Sequence, residues 1–423
     1  MTTVEKRQFL KLLAGAGLFS DTAIKNIEKI LAAGEDQSPE TLARNEDFWA
    51  EIRSEYRLKP DYINLENGYY CFMPRHTLER YIEHLREVNY QGSWYMRTVQ
   101  WDNKRSAQAR LAELAGVSPD EVIITRNTTE SLDTVIGGVR WKAGDEAVFA
   151  EQDYFSMQEM FRQMQERYGV VIRKVSVPKH PKSDEEIVDL YASAITPKTR
   201  LLMVCHMINI TGHILPIRKI CDMAHSKGCE VMVDGAHAFA HIDFRIPDLD
   251  CDYYGTSLHK WLSVPLGAGM LYVKKEKIKG LWPLFADFGH GDDHIWKLNH
   301  TGTHPVHTDL AINDALDFHL MIGADRKEAR LRYIQEYWTS RVRNLPNIEV
   351  NTPAESHRAC GIANVGVKGM KPADMAKTLL DKYRIWTVAI DGAGVQGCRI
   401  TPNVYTTTKE LDRFVAALEE MGR

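Results

Sequence analysis

The chain has 423 residues, 44% of them hydrophobic, 26% charged and 9% aromatic, with a formal net charge of −4. This is enough chain for one large cored domain and a smaller companion, and so small and dispersed a charge speaks against nucleic acid or an anionic membrane as the main partner. Seven cysteines, at positions 71, 205, 221, 229, 251, 360 and 398, contain no CxxC pair; they suit a reducing compartment and neither a disulfide framework nor a zinc site.

At the N-terminus, Lys6-Arg7-Gln8-Phe9-Leu10-Lys11 and the apolar residues 12–19 resemble a degenerate twin-arginine export signal. Lys6 replaces one arginine, the apolar stretch is short and no A-x-A site follows, so the segment is read as a helix lying on the main body. The expected compartment is therefore the cytoplasm, with the periplasm as the alternative. No stretch approaches the ~20 apolar residues of a membrane span. Residues 1–60 read as an N-terminal helical segment, with helices from Asp21 to Ala33 and from Pro39 to Tyr56. Seven β-rich runs follow: Glu121–Arg126, Glu146–Ala150, Val170–Val177, Arg200–Cys205, Glu230–Asp234, Asp252–Thr256 and Ala268–Val273. Helical periods separate most of them, as at 216–228, where Pro216 sits in the first turn and Gly228 just past the end. Alternation of this kind predicts an α/β fold with a mostly parallel sheet covered on both faces. Residues 61–308 are assigned to that large domain and 309–345 to long connecting helices. In the small C-terminal α+β domain, 346–423, the elements are a strand Gly361–Val367, a helix Pro372–Tyr383, a strand Ile385–Ile390 and a helix Lys409–Met421 opened by a Thr407-x-x-Glu410 capping box.

Three places carry candidate chemistry. Lys260, in Thr256-Ser257-Leu258-His259-Lys260-Trp261, lies in an apolar stretch between two β-rich runs. Burial lowers a lysine's pKa and makes it an imine-forming nucleophile. Asp234 ends the apolar strand Val231-Met232-Val233, where ligands gather in parallel α/β sheets. It is a helix cap or a carboxylate that keeps a pyridine nitrogen protonated, and His237 supports it, packs over the ring, or is a satisfied core histidine. Thr128 and Thr129 follow the strand Ile123-Ile124-Thr125 and open a helix, which makes an anion site or a plain N-cap. The missing glycines of a P-loop or dinucleotide fingerprint argue against NTP and NAD.

Anion site, strand-end acid and a lysine 26 positions later (260 minus 234) together resemble fold-type-I (aspartate-aminotransferase-like) pyridoxal 5'-phosphate enzymes. His206-Met207-Ile208-Asn209-Ile210-Thr211-Gly212-His213 and Arg399-Ile400-Thr401-Pro402-Asn403 are similar to the class V aminotransferase fold, on its isopenicillin-N-epimerase-like branch. The resemblance runs from about Tyr62 to the end. It implies a seven-stranded, mostly parallel sheet and a Schiff base on Lys260, which also moves the Cα proton. Asp234 would pair with the pyridinium nitrogen, and Thr128, Thr129 and Ser257 would hold the phosphate, flanked by His259. Asn209 would meet the ring hydroxyl or the substrate. Tyr154 is the stacking candidate ahead of Phe155 and Gln152. Arg399 would grip the substrate's α-carboxylate as a fork, which lysine cannot imitate. Asn67-Gly68 resembles a substrate-side loop. The resemblance makes Gly302-Thr303 a loop reaching a second subunit's phosphate, hence a homodimer with shared active sites. On that reading His290, His294, His300, His304 and His307 are not a metal site; acidic partners at helical spacing are missing.

Which reaction follows depends on how protonation is controlled. Residues 388–397 lack the nucleophilic cysteine of a desulfurase, and Cys398 would face away from Arg399's side if the segment is a strand. Epimerase and aminotransferase types acting on an amino acid remain, with Tyr154, His237 and Tyr95 as candidate second bases. Trp94, Tyr95 and Arg97 are expected at the substrate pocket or in a patch between subunits. A C–S lyase of a sulfur-containing amino acid is the alternative. A non-catalytic pyridoxal-phosphate-binding regulator is the remote one, since residues 1–60 show no DNA-binding pattern.

Overall fold

The computed structural model describes residues 37–423. The export-signal-like segment and the helix expected at 21–33 lie outside the described residues. Strands are numbered in chain order: β1 Ile63–Asn64, β2 Val122–Thr125, β3 Glu146–Ala150, β4 Val171–Val175, β5 Thr199–Cys205, β6 Glu230–Asp234, β7 Tyr253–Ser257, β8 Gly269–Val273, β9 Ile348–Val350, β10 Ala363–Val367, β11 Ile385–Trp386, β12 Val388–Gly392 and β13 Val395–Ile400.

Seven of these form the main sheet, in the order β2-β8-β7-β6-β5-β3-β4. β8 is antiparallel to both its neighbours, and the other pairings are parallel. All seven correspond to the β-rich runs read from the sequence. Their side chains alternate between two cores: Val231 and Val233 join one, and Met232 between them joins the other. Burial of both faces by helices is why most of these strands are continuous apolar runs rather than alternating ones, while the edge strand β4 is largely exposed and carries Arg173 and Lys174. The helix Ile217–Ser226, for example, buries Ile217, Ile220, Cys221 and Ala224 on a single stripe. It begins one residue later than expected, with Pro216 as its N-cap, and Gly228 follows its end at φ +73°.

The long apolar helical stretch is two helices, Val306–Ile322 and Ala324–Val342, broken at Gly323, whose φ of +94° favours glycine. Beyond them stands a small antiparallel sheet in the order β12-β13-β10-β9. The single strand expected at 385–390 is divided: β11 pairs in parallel with β1, while β12 pairs with β13. The capping box at Thr407 and Glu410 is present at the start of the last helix, Thr408–Met421.

Candidate active site

The parallel strands β5, β6 and β7 end at one edge of the main sheet, at Cys205, Asp234 and Ser257. The helix Thr128–Gly138 starts at the same edge, where the Thr128 N–H donates to Ser257 Oγ at 2.8 Å. A cavity of about 350 Å³ opens there. Its wall brings together Thr128, Thr129, Tyr154, Asn209, Asp234, His237, Ser257, His259, Lys260 and Arg399, residues that lie up to 271 positions apart in the chain (399 minus 128).

Lys260 lies in the turn that leaves β7, with its Nζ 3.0 Å from His237 Nε2. Burial pulls its pKa down to about 8, Asp234 works against the shift, and the Arg399 cation adds to it. On the far side of the imidazole, the Trp261 indole N–H donates to His237 Nδ1 at 3.4 Å. An indole N–H is a donor and never an acceptor, so the ring proton of a neutral His237 sits on Nε2 and points at Lys260 Nζ. Burial holds His237 well below the ordinary histidine range, the Lys260 charge next, so it is neutral. A donor facing the amine favours its uncharged, nucleophilic form.

Asp234 accepts the Ala236 N–H at 3.0 Å and lies at the end of the buried β6. Burial raises its carboxyl, opposed by the Ala236 N–H and by Lys260. The Cys205 thiol is 4.0 Å away and too weak a donor to compensate. Gly235 follows because nothing larger fits: a Cβ there would lie 1.9 Å from Tyr254 Cζ on β7.

At the phosphate-sized end, the Thr128 and Ser257 hydroxyls are 2.7 Å apart. Asn127 caps the helix through the Glu130 N–H at 2.9 Å, and the Arg126 guanidinium is held by Glu130. Two buried polar atoms of the cavity wall, Asn209 Oδ1 and His259 Nδ1, have no protein partner. A pyridoxal phosphate fits this donor set. Its protonated ring nitrogen would supply the cation Asp234 lacks, its phosphate would suit hydroxyls at a helix start, and its polar groups would offer partners to the orphaned atoms.

Three expected residues lie apart from the cavity wall. Asn67 is fully buried and spends its side chain on Thr401 O at 2.6 Å, Tyr405 and Asn64; its neighbour Gly68 lines the cavity instead. Tyr95 is buried and accepts a hydrogen bond from Asn103 at 3.1 Å. Thr303 is exposed. Of the stacking candidates Tyr154 lines the cavity, while Gln152 bonds Val177 and Ala393. His304 is engaged by Asp309 and His290 by Asp287, and among the described residues no three potential ligands gather as a metal site. Sequence reasoning missed Glu66 and Tyr69. Glu66 is paired with Arg399 and Tyr69 lines the cavity. An acid beside Asn-Gly reads as a solvated turn, and the partner that changes this is 333 positions away.

Residues 73–414 match the aminotransferase class-V family model. The chain is 27% identical over 397 residues to the isopenicillin N epimerase of Amycolatopsis lactamdurans, covering 89% of this chain and 99% of that one. It is 25% identical over 388 residues to a cysteine desulfurase of Salmonella gallinarum, covering 85% and 90%. Its fold is that of the cysteine desulfurase of Thermococcus onnurineus, with a TM-score of 0.78 at 20% identity over 88% of this chain and 97% of that one. With the match spanning sheet, site and small domain alike, this chain belongs to the class V aminotransferase family.

Proposed function

We propose that the chain is a pyridoxal-phosphate enzyme that removes the Cα proton of an α-amino acid, as an epimerase or an aminotransferase. The observation that carries this reading is one cavity lined by a half-buried, readily deprotonated Lys260 together with Asp234 and Arg399. The cofactor, when bound, supplies an electron sink for the charge left at Cα. Asp234 would keep the sink protonated, and Thr128, Thr129 and Ser257 would hold its anionic end. Arg399 orients the substrate through the α-carboxylate. Lys260 Nζ, uncharged beside His237, would accept the proton at Cα; an aminotransferase needs Lys260 alone to deliver it onward, whereas an epimerase needs a second group to protonate Cα from the opposite face.

Desulfuration through a protein thiol is not proposed. All seven cysteines are buried, and the one on the cavity wall, Cys205, is held protonated by burial and by Asp153 and Asp234. Cys398 bonds the Pro372 carbonyl at 3.7 Å, on the other face of β13 from Arg399. A C–S lyase of a sulfur-containing amino acid is the second reading. It is favoured by the similarity to cysteine desulfurases and needs the same Lys260 and Arg399 without a protein thiol. The seven unpaired thiols suit the cytoplasm. Exposed Thr303, away from this chain's own cavity, suits a loop that reaches a second copy in a homodimer.

The test is product analysis of the purified protein with a panel of L- and D-amino acids. Loss of optical purity identifies an epimerase. Release of a keto acid with conversion of the cofactor to its amine form identifies an aminotransferase, and sulfide or persulfide release identifies the lyase. No turnover of any amino acid by cofactor-loaded protein sinks the proposal.

A further inference from the structure

Arg399 does not face the cavity as a free cation. Its Nε and Nη2 donate to the two oxygens of Glu66, at 3.2 and 2.5 Å, with the two side chains only 9% and 8% exposed. Glu66 Oε1 also accepts the Tyr69 N–H at 3.0 Å, so one carboxylate ties the loop 66–70 to the guanidinium. Gly68 lies flat against the same group, since a Cβ there would fall 2.6 Å from its Cζ. The remaining nitrogen, Nη1, has one long bond, 3.4 Å to the Asn209 carbonyl. The side-on fork of Arg399, Nε with Nη2, is thus already filled by a carboxylate of the chain itself.

The geometry points to Glu66 as the resting counter-ion of Arg399, which an α-carboxylate taking the Nε/Nη2 fork must displace and which thereby sets what ligands the site accepts. This rests on the reading of Arg399 as the carboxylate grip. Trading one charge-assisted fork for another gains little, and separating Glu66 from its partner in a dry site costs energy. A simple carboxylate has nothing to offset that cost. An α-amino acid has, because its amino group engages the Lys260 end of the same cavity. The penalty is common to every carboxylate that takes this fork, so a ligand needs the second group to bind tightly. Tyr69, tied to Glu66 and lining the cavity, moves with the exchange.

The test compares cofactor-loaded wild type with Glu66→Gln, using propanoate and its neutral isostere propanamide as probes. Gln keeps the shape and leaves Arg399 buried without a counter-charge, so the melting temperature falls. Propanoate is expected to bind the variant about tenfold tighter than the wild type and to restore its melting temperature, and propanamide to do neither. Amino-acid KM is expected to fall by about the same factor, because the substrate's α-carboxylate displaces the same counter-ion. Equal propanoate binding in the two proteins, or loss of stability that propanoate does not restore, overturns the proposal. If Glu66→Gln does not fold, Glu66→Asp, which keeps the charge on a shorter stem, carries the same expectations at a few-fold size. Arg399→Gln separates the two readings. If it leaves amino-acid binding unchanged, Arg399 is not the grip. If it abolishes amino-acid binding while Glu66→Gln shows no gain for propanoate, the counter-ion role alone is wrong.

Discussion

The Trp261 indole has one polar atom, and that atom can only donate. Through His237 it decides what Lys260 meets: an N–H, not a lone pair. Trp261→Phe keeps the ring that packs on His241 at 3.6 Å but frees His237 Nδ1 to carry the proton. His237 Nε2 then becomes an acceptor, which favours the charged lysine, so the pKa of Lys260 rises from about 8 toward its ordinary 10.5. The prediction is that cofactor attachment to cofactor-free Trp261→Phe slows severalfold at pH 7 and recovers at high pH. It is followed as the rate of growth of the visible band against pH. An unchanged profile would mean that the indole only packs. Lys260 and Asp234 were legible because each breaks an apolar run at a strand end, where a buried charge needs a reason. The Trp261–His237 bond was not, because a tryptophan after a lysine reads as core.

At the scale of elements, most of the main strands could be read from the sequence because burial on both faces writes them as apolar runs between turns, and the exposed edge strand β4 through its β-branched Val171, Ile172 and Val175. β13 could not. Gln396, Gly397 and Arg399 interrupt its apolar residues, and Gly397 looks like a loop signal. The structure gives that glycine a different cause: a Cβ would come within 2.5 Å of Val365 O and Asn364 Oδ1 on β10. A similar closeness makes Gly235 a test of the β6–β7 approach. Gly235→Ala should cost about 1–3 kcal/mol through overpacking against Tyr254. Combined with Tyr254→Ala it should cost less than the sum of the two single variants, read as a double-mutant cycle from denaturant melts. Additive costs would mean that Tyr254 is not what excludes the methyl group. At the last helix, Thr407 Oγ1 accepts the Glu410 N–H at 3.2 Å and Glu410 returns a bond to the Thr407 N–H at 2.8 Å. Thr407→Ala is predicted to cost ~1 kcal/mol in the same assay, and Thr407→Ser close to nothing.

For the whole molecule, the pH dependence of stability is set by histidines buried in the neutral state. Burial lowers His76, His213 and His259 to about 4 and His206 to about 3, against an ordinary 6.5. Between those values the unfolded chain binds protons that the folded one refuses, so stability rises with pH across this window and is lost as pH falls from 6.5 toward 4. Burial pushes the carboxyls of Asp133 and Asp153 to about 7 and of Asp317 to about 6, with the opposite sign. The histidines outnumber them, and Glu146, held at about 2 by Arg173 first of all, adds its own loss only below about pH 4.5. Melting temperature should therefore drop steadily below pH 6.5. A plateau down to pH 4.5 would show that the buried acids balance the histidines.

The central claim is that Lys260 carries the cofactor. Incubation with pyridoxal phosphate, borohydride reduction and peptide mass analysis would test it most directly. The account predicts one pyridoxyl group per chain, on Lys260, and none on Lys260→Ala. Labelling of another lysine, such as the buried Lys327 whose pKa is also lowered to about 8, or a stable label on the Lys260→Ala protein, would contradict it.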